Sequence, residues 1–118
     1  MPRPLSLPKS KRLIRNADFQ RVRDEGSAAR GPFLTIGVLP APDDQMRAGF
    51  VTSRRVGSAV VRNRLRRRLR DIFRRHQHQI PQAAWVVTIA RPPSAQAPSA
   101  DLEHEWLRLA KRASILAP

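Results

Sequence analysis

The sequence predicts an α/β sandwich of order αββαβα, one small sheet with helices packed against it. Three observations carry that expectation. A chain of 118 residues has the size of a single domain. Two stretches show the 3.6-residue apolar period of amphipathic helices. Around them lie short β-branched and aromatic runs bounded by Pro and Gly, the pattern of strands.

Residues 1–11, with scattered basic side chains among Pro and Ser, read as a flexible basic tail, and the folded domain spans 12–118. "RNADFQRVRDEG" reads as a short helix. Asn16 is placed to cap it, Phe19 and Val22 share a face, and Gly26 ends it. "GPFLTIGVLP" is a strand from Phe33 to Leu39, bounded by Pro32 and Pro40. The Pro- and Asp-rich "APDDQM" is a turn, and "RAGFVTS" is the return strand.

The second helix follows Gly57, with Ser58 as its cap. Val61, Leu65, Leu69, Ile72 and Phe73 recur along it and cover an arc of about 120° at 100° per residue. Asn63, Arg64, Arg67, Arg70, Arg74 and Arg75 lie well outside that arc, with Arg66 and Arg68 at its edges. Arg62 falls inside it, in the first turn, where a long side chain still reaches water or a partner. "WVVTIA" is almost wholly apolar, as a strand covered on both faces should be. After the loop "RPPSAQAPSA" comes the last helix, with Ser99 as cap and Leu102, Trp106, Leu109, Ala110 and Ala113 as its stripe.

Composition excludes several function classes. Cysteine is absent, which removes disulfides, thiol nucleophiles, iron–sulfur ligation and cysteine zinc sites. No apolar run approaches the roughly 18 residues of a membrane span, and the N-terminus has no signal-type apolar core. A cytoplasmic protein without membrane contact is the expectation.

No phosphate-loop, GxGxxG, GxSxG or HExxH pattern occurs. His76, His78 and His104 have no further ligands in a metal spacing, and Asp43–Asp44 reads as turn solubility, so neither a catalytic nor a metal site is expected.

Charge is the dominant fact. The net charge is +14, and the segment Ser53–Arg75 alone holds ten arginines against one acid, Asp71. Residue-usage bias can enrich arginine, but it cannot cluster it. A polyanion is therefore the expected partner, nucleic acid before membrane. Arg54 and Arg55 precede the helix start, whose backbone N–H groups add a favourable field for phosphate. Arginine offers planar, bidentate contacts to phosphate and stacks on bases. Phe73 and Trp106 read as core, whereas Phe19 and Phe33 either join the core or stack on an unpaired base in a groove. Gly57 is there for backbone geometry.

The stretch "SRRVGSAVVRNRLRRRLRDIFR", preceded by "RLIRNADFQRVRDEG" and followed by "TIARP" and the last helix, resembles the protein subunit of bacterial ribonuclease P. The residues that carry it are Ser53 to Gly57, Ala59, Val60, the Arg62-Asn63-Arg64 tripeptide, Arg12, Leu13 and Asp18 to Val22. The resemblance implies a left-handed βαβ crossover around the basic helix. It implies removal of the 5′ leader of precursor tRNA, with cleavage by the RNA subunit and its magnesium ions and no metal bound by the protein alone.

It also implies two RNA-facing regions. Arg54, Arg55, Arg62, Asn63, Arg64, Arg66, Arg67 and Arg70 match the set that lies against the RNA subunit. A groove between the first helix and the sheet, lined by Arg12, Phe19, Phe33 and Ile36, would hold the single-stranded leader. Arg23 stands where many members carry a second aromatic. No obligate protein partner is expected. A ribosomal or other structural RNA-binding protein is the alternative reading, since small, basic and cysteine-free describes that class too.

Overall fold

The computed structural model of the chain describes residues 11–116. The tail expected over residues 1–11 therefore falls, apart from Lys11, outside the described residues. Three helices and four strands follow one another as α1 (Asn16–Glu25), β1 (Ser27–Arg30), β2 (Leu34–Pro40), β3 (Arg47–Thr52), α2 (Ala59–His76), β4 (Ala84–Ala90) and α3 (Ser99–Arg112). The order is αβββαβα, one strand more than the sequence predicts. None of the described helices is long and apolar enough to cross a membrane.

The extra strand arises from a close approach. At the end of α1 the Gly26 N–H bonds to the Val22 carbonyl at 3.0 Å. A Cβ at Gly26 would sit 2.2 Å from the Val38 carbonyl oxygen, so only glycine lets the chain turn this tightly against β2. The following residues, "SAAR", then pair antiparallel with β2 from Ser27↔Val38 to Arg30↔Thr35. Nothing in those four residues favours a strand by itself.

The sheet order is β1-β2-β4-β3. β2 pairs antiparallel with β4, and β3 pairs parallel with β4, so α2 is the crossover between two adjacent parallel strands. Arg12 forms an isolated parallel bridge with Ala48, and the Leu13 N–H bonds the Ala48 carbonyl at 2.8 Å, which covers part of the outer edge of β3.

One sheet face carries the main core. Leu34, Ile36, Val38, Ala48, Val86 and Ala90 meet Leu65, Leu69, Ile72 and Phe73 of α2 and Leu102, Trp106, Leu109 and Ala110 of α3. Phe73 stands edge-on to both Phe50 and Trp106, with ring centroids 6.1 Å apart in each pair. The Trp106 indole N–H donates to Thr88 Oγ1 at 3.1 Å, so its polar edge is satisfied inside the core. α3 begins on Pro98 as its cap, and Ser99 is its first helical residue and not the cap. Asn16 is likewise the first residue of α1, which Arg15 precedes in extended conformation. In both cases a carbonyl one residue earlier accepts the first helical N–H bonds.

A buried carboxylate ties α3 to the start of β2. Glu105 is 5% exposed, and its Oε2 accepts the N–H groups of Phe33 at 2.7 Å and Leu34 at 2.6 Å. Arg108 donates to the other oxygen at 3.1 Å. Glu105→Ala leaves both N–H groups without an acceptor, so it should destabilise the fold by about 2–4 kcal/mol, read from the urea unfolding midpoint.

Candidate nucleic-acid interface

The start of α2 is built to expose cations. After β3 the chain makes a 3-10 turn over Arg54–Val56 that leaves Arg54 and Arg55 exposed and buries Val56. Gly57 then adopts φ 155°, which L side chains rarely reach, and a Cβ there would also crowd Val61. Ser58 caps the helix as expected, its Oγ accepting the Val61 N–H at 3.3 Å.

Along the helix, Asn63, Arg64 and Arg67 are exposed, while Arg62, Arg66 and Arg70 are half-buried. Arg66 donates to Thr52 Oγ1 on β3 at 3.0 Å and also to Asn63 Oδ1. These contacts fix the guanidinium plane before any ligand arrives. Burial, then the charges of Arg12, Arg74 and Arg66, push the Arg70 guanidinium below its ordinary value. The Nε atoms of Arg62 and Arg70 are buried without a protein acceptor.

The acids are distributed unevenly along α2. Arg74 pairs with Asp71, and Arg75 reaches Glu103 on α3 at 3.3 Å, where His76 Nε2 also lies 2.6 Å from the same carboxylate. No ion pair among the described residues involves Arg54, Arg55, Arg62, Arg64, Arg66, Arg67 or Arg70. The C-terminal turn is thus neutralised and the N-terminal two-thirds is left bare. All eight residues expected at this surface sit on the α2 side of the molecule.

The opposite sheet face is only partly covered. α1 crosses it with Phe19 over Gly49 and Val22 over Gly37, in a small second core with Leu13, Leu39, Trp85 and Val87. Beside α1 the register aligns Arg30, Thr35, Ile89 and Val51 in one row across the four strands. Ile89 is 37% exposed and Thr35 and Val51 are half-buried, so this row is a shallow strip with an apolar floor.

Phe19 lies on α1 beside that strip, but the other three residues expected with it lie elsewhere. Ile36 is fully buried in the main core, on the face turned toward α2 and α3. Phe33 packs against the same core, its N–H held by Glu105. Strand alternation explains Ile36, whose neighbour Thr35 takes the open face, whereas Phe33 precedes β2 and is turned to the core where Glu105 holds its N–H. Arg12 sits at the far edge of the sheet, on β3, close enough to Arg70 to depress it. Thr35, Val51 and Ile89 escaped the sequence reading, and only the register shows that they share the sheet face turned away from α2 and α3.

The family model described as Ribonuclease P matches residues 7–114. The chain belongs to the ribonuclease P protein family. A "Ribonuclease P protein component" of Thermus scotoductus is 43% identical over 98 residues, which are 83% of this chain and 57% of that protein's own length. One from Chloroflexus aurantiacus is 41% identical over 89% of this chain and 78% of the relative. The RNase P protein of Staphylococcus aureus superposes with a TM-score of 0.84 at 28% identity, covering 92% of this chain and 99% of that one. A ribonuclease P protein component is a subunit of an endoribonuclease that processes tRNA and contains RNA.

No group of three or more His, Cys, Asp or Glu side chains converges as a metal site among the described residues. Asp43, expected to serve loop solubility, has a structural role instead. It accepts from Arg47 Nε at 2.8 Å, the Gln45 N–H at 3.1 Å and Trp85 Nε1 at 3.1 Å.

The contact between α1 and the sheet is tight enough to test. A Cβ on Gly49 would lie 2.3 Å from the Phe19 ring. Gly49→Ala should therefore lift α1 and lower stability by about 1–3 kcal/mol, measured by thermal unfolding.

Proposed function

We propose that this ribonuclease P protein binds the catalytic RNA subunit through the bare face of α2 and holds the 5′ leader of precursor tRNA on the strip beside α1. Cleavage itself belongs to the RNA subunit, which binds the magnesium ions, and the reaction takes place in the cytoplasm. The observation that carries this reading is the run of arginines from Arg54 to Arg70, none of which forms an ion pair with an acidic side chain among the described residues.

The division of labour follows from the chemistry of the two surfaces. On α2 the guanidinium groups are dense, some exposed and some half-buried, so each phosphate that arrives relieves repulsion among them as well as forming charge-assisted hydrogen bonds. The strip of Thr35, Val51 and Ile89 is shallow and apolar with Arg30 at one end and the Phe19 ring along its side. That combination suits an unpaired strand, whose bases rest on apolar and aromatic surface while arginine meets the backbone. With Arg23 where a second aromatic is common in the family, leader binding leans on charge more than on stacking.

The decisive experiment is cleavage of a 5′-extended precursor tRNA by a bacterial ribonuclease P RNA at low magnesium, with and without the protein. Stimulation that shrinks as the leader is shortened is the expected result, and no stimulation by folded protein would sink the reading. Affinity for the RNA subunit should fall with salt at a log–log slope of about −4 to −7, corresponding to six to eight phosphate contacts. Arg62→Ala combined with Arg64→Ala should weaken RNA-subunit binding by about 10–100-fold while circular dichroism stays that of the wild type.

A further inference from the structure

A second basic cavity lies on the other flank of α1, away from the Thr35–Ile89–Val51 strip. It encloses about 680 Å³ between the residues that lead into α1, the turn after β2 and the start of β3 and β4. Its lining includes Arg12, Arg15, Arg21 and Arg47 with Asp43 and the Trp85 ring.

The charges inside it are not equivalent. Arg47 is engaged by Asp43 at 2.8 Å. Arg21 is engaged by Glu25 at 3.1 Å and lies over the Trp85 ring, 5.9 Å from its centroid. These two arginines form a fixed wall. Burial opposes ionisation of Asp43, but the donors Arg47, Gln45 and Trp85 outweigh it and hold the carboxyl below its ordinary value. Asp43 is therefore spent on its own neighbours.

Arg15, which is exposed, presents a further cation at the mouth, and Arg12 adds its charge at the edge of β3. α1 starts at the cavity with no side chain capping its first N–H groups. The Asp18 carboxylate of its first turn, which also lines the cavity, offsets part of that positive end and acts on Arg21, leaving four arginines against two acids. Ile14, 62% exposed, adds an apolar edge that water does not reward.

We infer that this cavity is a second docking site for the RNA subunit, taking a phosphate with its ribose from a strand that continues off the face of α2. The inference rests on the proposed function and names a contact beyond it. Continuity selects the RNA subunit over the leader. Arg12 lines the cavity, is bridged to Ala48 on the edge strand β3 and is near enough to Arg70 on α2 for their charges to repel, so it links the cavity to the arginines of α2 around that edge. The leader strip is separated from the cavity by α1 itself.

Two exposed positions test this without disturbing the core. Arg15→Glu reverses one charge, and a carboxylate at the start of α1 complements the helix dipole, so folding is not weakened. Ile14→Asp places a carboxylate at the apolar edge. Each full-length variant is titrated against the labelled ribonuclease P RNA subunit across a salt series, and each is assayed for leader-length dependence of precursor cleavage. The expected result for Arg15→Glu is roughly tenfold weaker RNA-subunit binding near 0.1 M salt and a salt slope shallower by about 1–2. Ile14→Asp should weaken the same binding by about threefold or more, and leader-length dependence should match the wild type for both. Wild-type affinity and slope in both variants would overturn the inference while leaving the proposed function standing. Loss of leader dependence with unchanged RNA-subunit binding would overturn it too, assigning the cavity to the leader. Failure of the wild-type protein to bind the RNA subunit would remove the proposed function, and the cavity assignment with it.

Discussion

Burial of one side of α2 is the constraint on which the rest of the molecule depends. Leu65, Leu69, Ile72 and Phe73 are each at most 2% exposed, wedged between the sheet and α3. Fully burying side chains of this kind contributes about 1.5–3 kcal/mol each. Like charges one turn apart oppose the helix by roughly 0.2–0.5 kcal/mol per pair. Over the half-dozen arginine pairs at that spacing the repulsion comes to only ~1–3 kcal/mol. Packing wins, and the helix therefore stays helical without its RNA. The excess cations then have one outlet, which is the surface.

That surface is shaped by where the acids fall. Asp71 and Glu103 meet the arginines of the last turns, next to His76 and the Trp106 ring that join α2 to α3. Neutralisation is thus confined to the end where the helix packs against its neighbour. Toward the N-terminus, Gly57 and the Ser58 cap allow a sharp entry from β3, and Thr52 anchors Arg66. The backbone of the bare stretch is thus fixed at the end of a strand, and Arg66 is the guanidinium that protein contacts orient within it.

The second consequence concerns the far side of the sheet. α2 and α3 cover one face completely, whereas α1, with ten residues, spans only the middle of the other. Two open flanks result, and their chemistry differs because the strands alternate. On one flank the register brings Thr35, Ile89 and Val51 together as an apolar floor. On the other it brings Trp85 opposite Arg47, where the Asp43 turn closes over them. A single short helix thereby separates a surface suited to bases from one suited to phosphate.

What the sequence determined by itself is whatever repeats within one element. The apolar stripe and the cap of α2, the stripe of α3, β4 as a strand covered on both faces except at Ile89, and the clustering of arginine were all legible, because a 3.6-residue period, a run of apolar residues or a charge count needs no knowledge of neighbours. Tertiary structure decided the rest. "SAAR" became β1 only because Gly26 delivers it alongside β2. Ile36 and Phe33 went to the core and Thr35 to the open face. Alternation says that neighbours point apart, and only the packing of α2 and α3 says which side is inside. Asp43 read as a turn acid and Glu105 carried no sequence signal of its own, until the chain brought indole and backbone N–H donors within 3.1 Å of them. Each of these outcomes rests on a contact between residues distant in sequence, a quantity that no local pattern encodes.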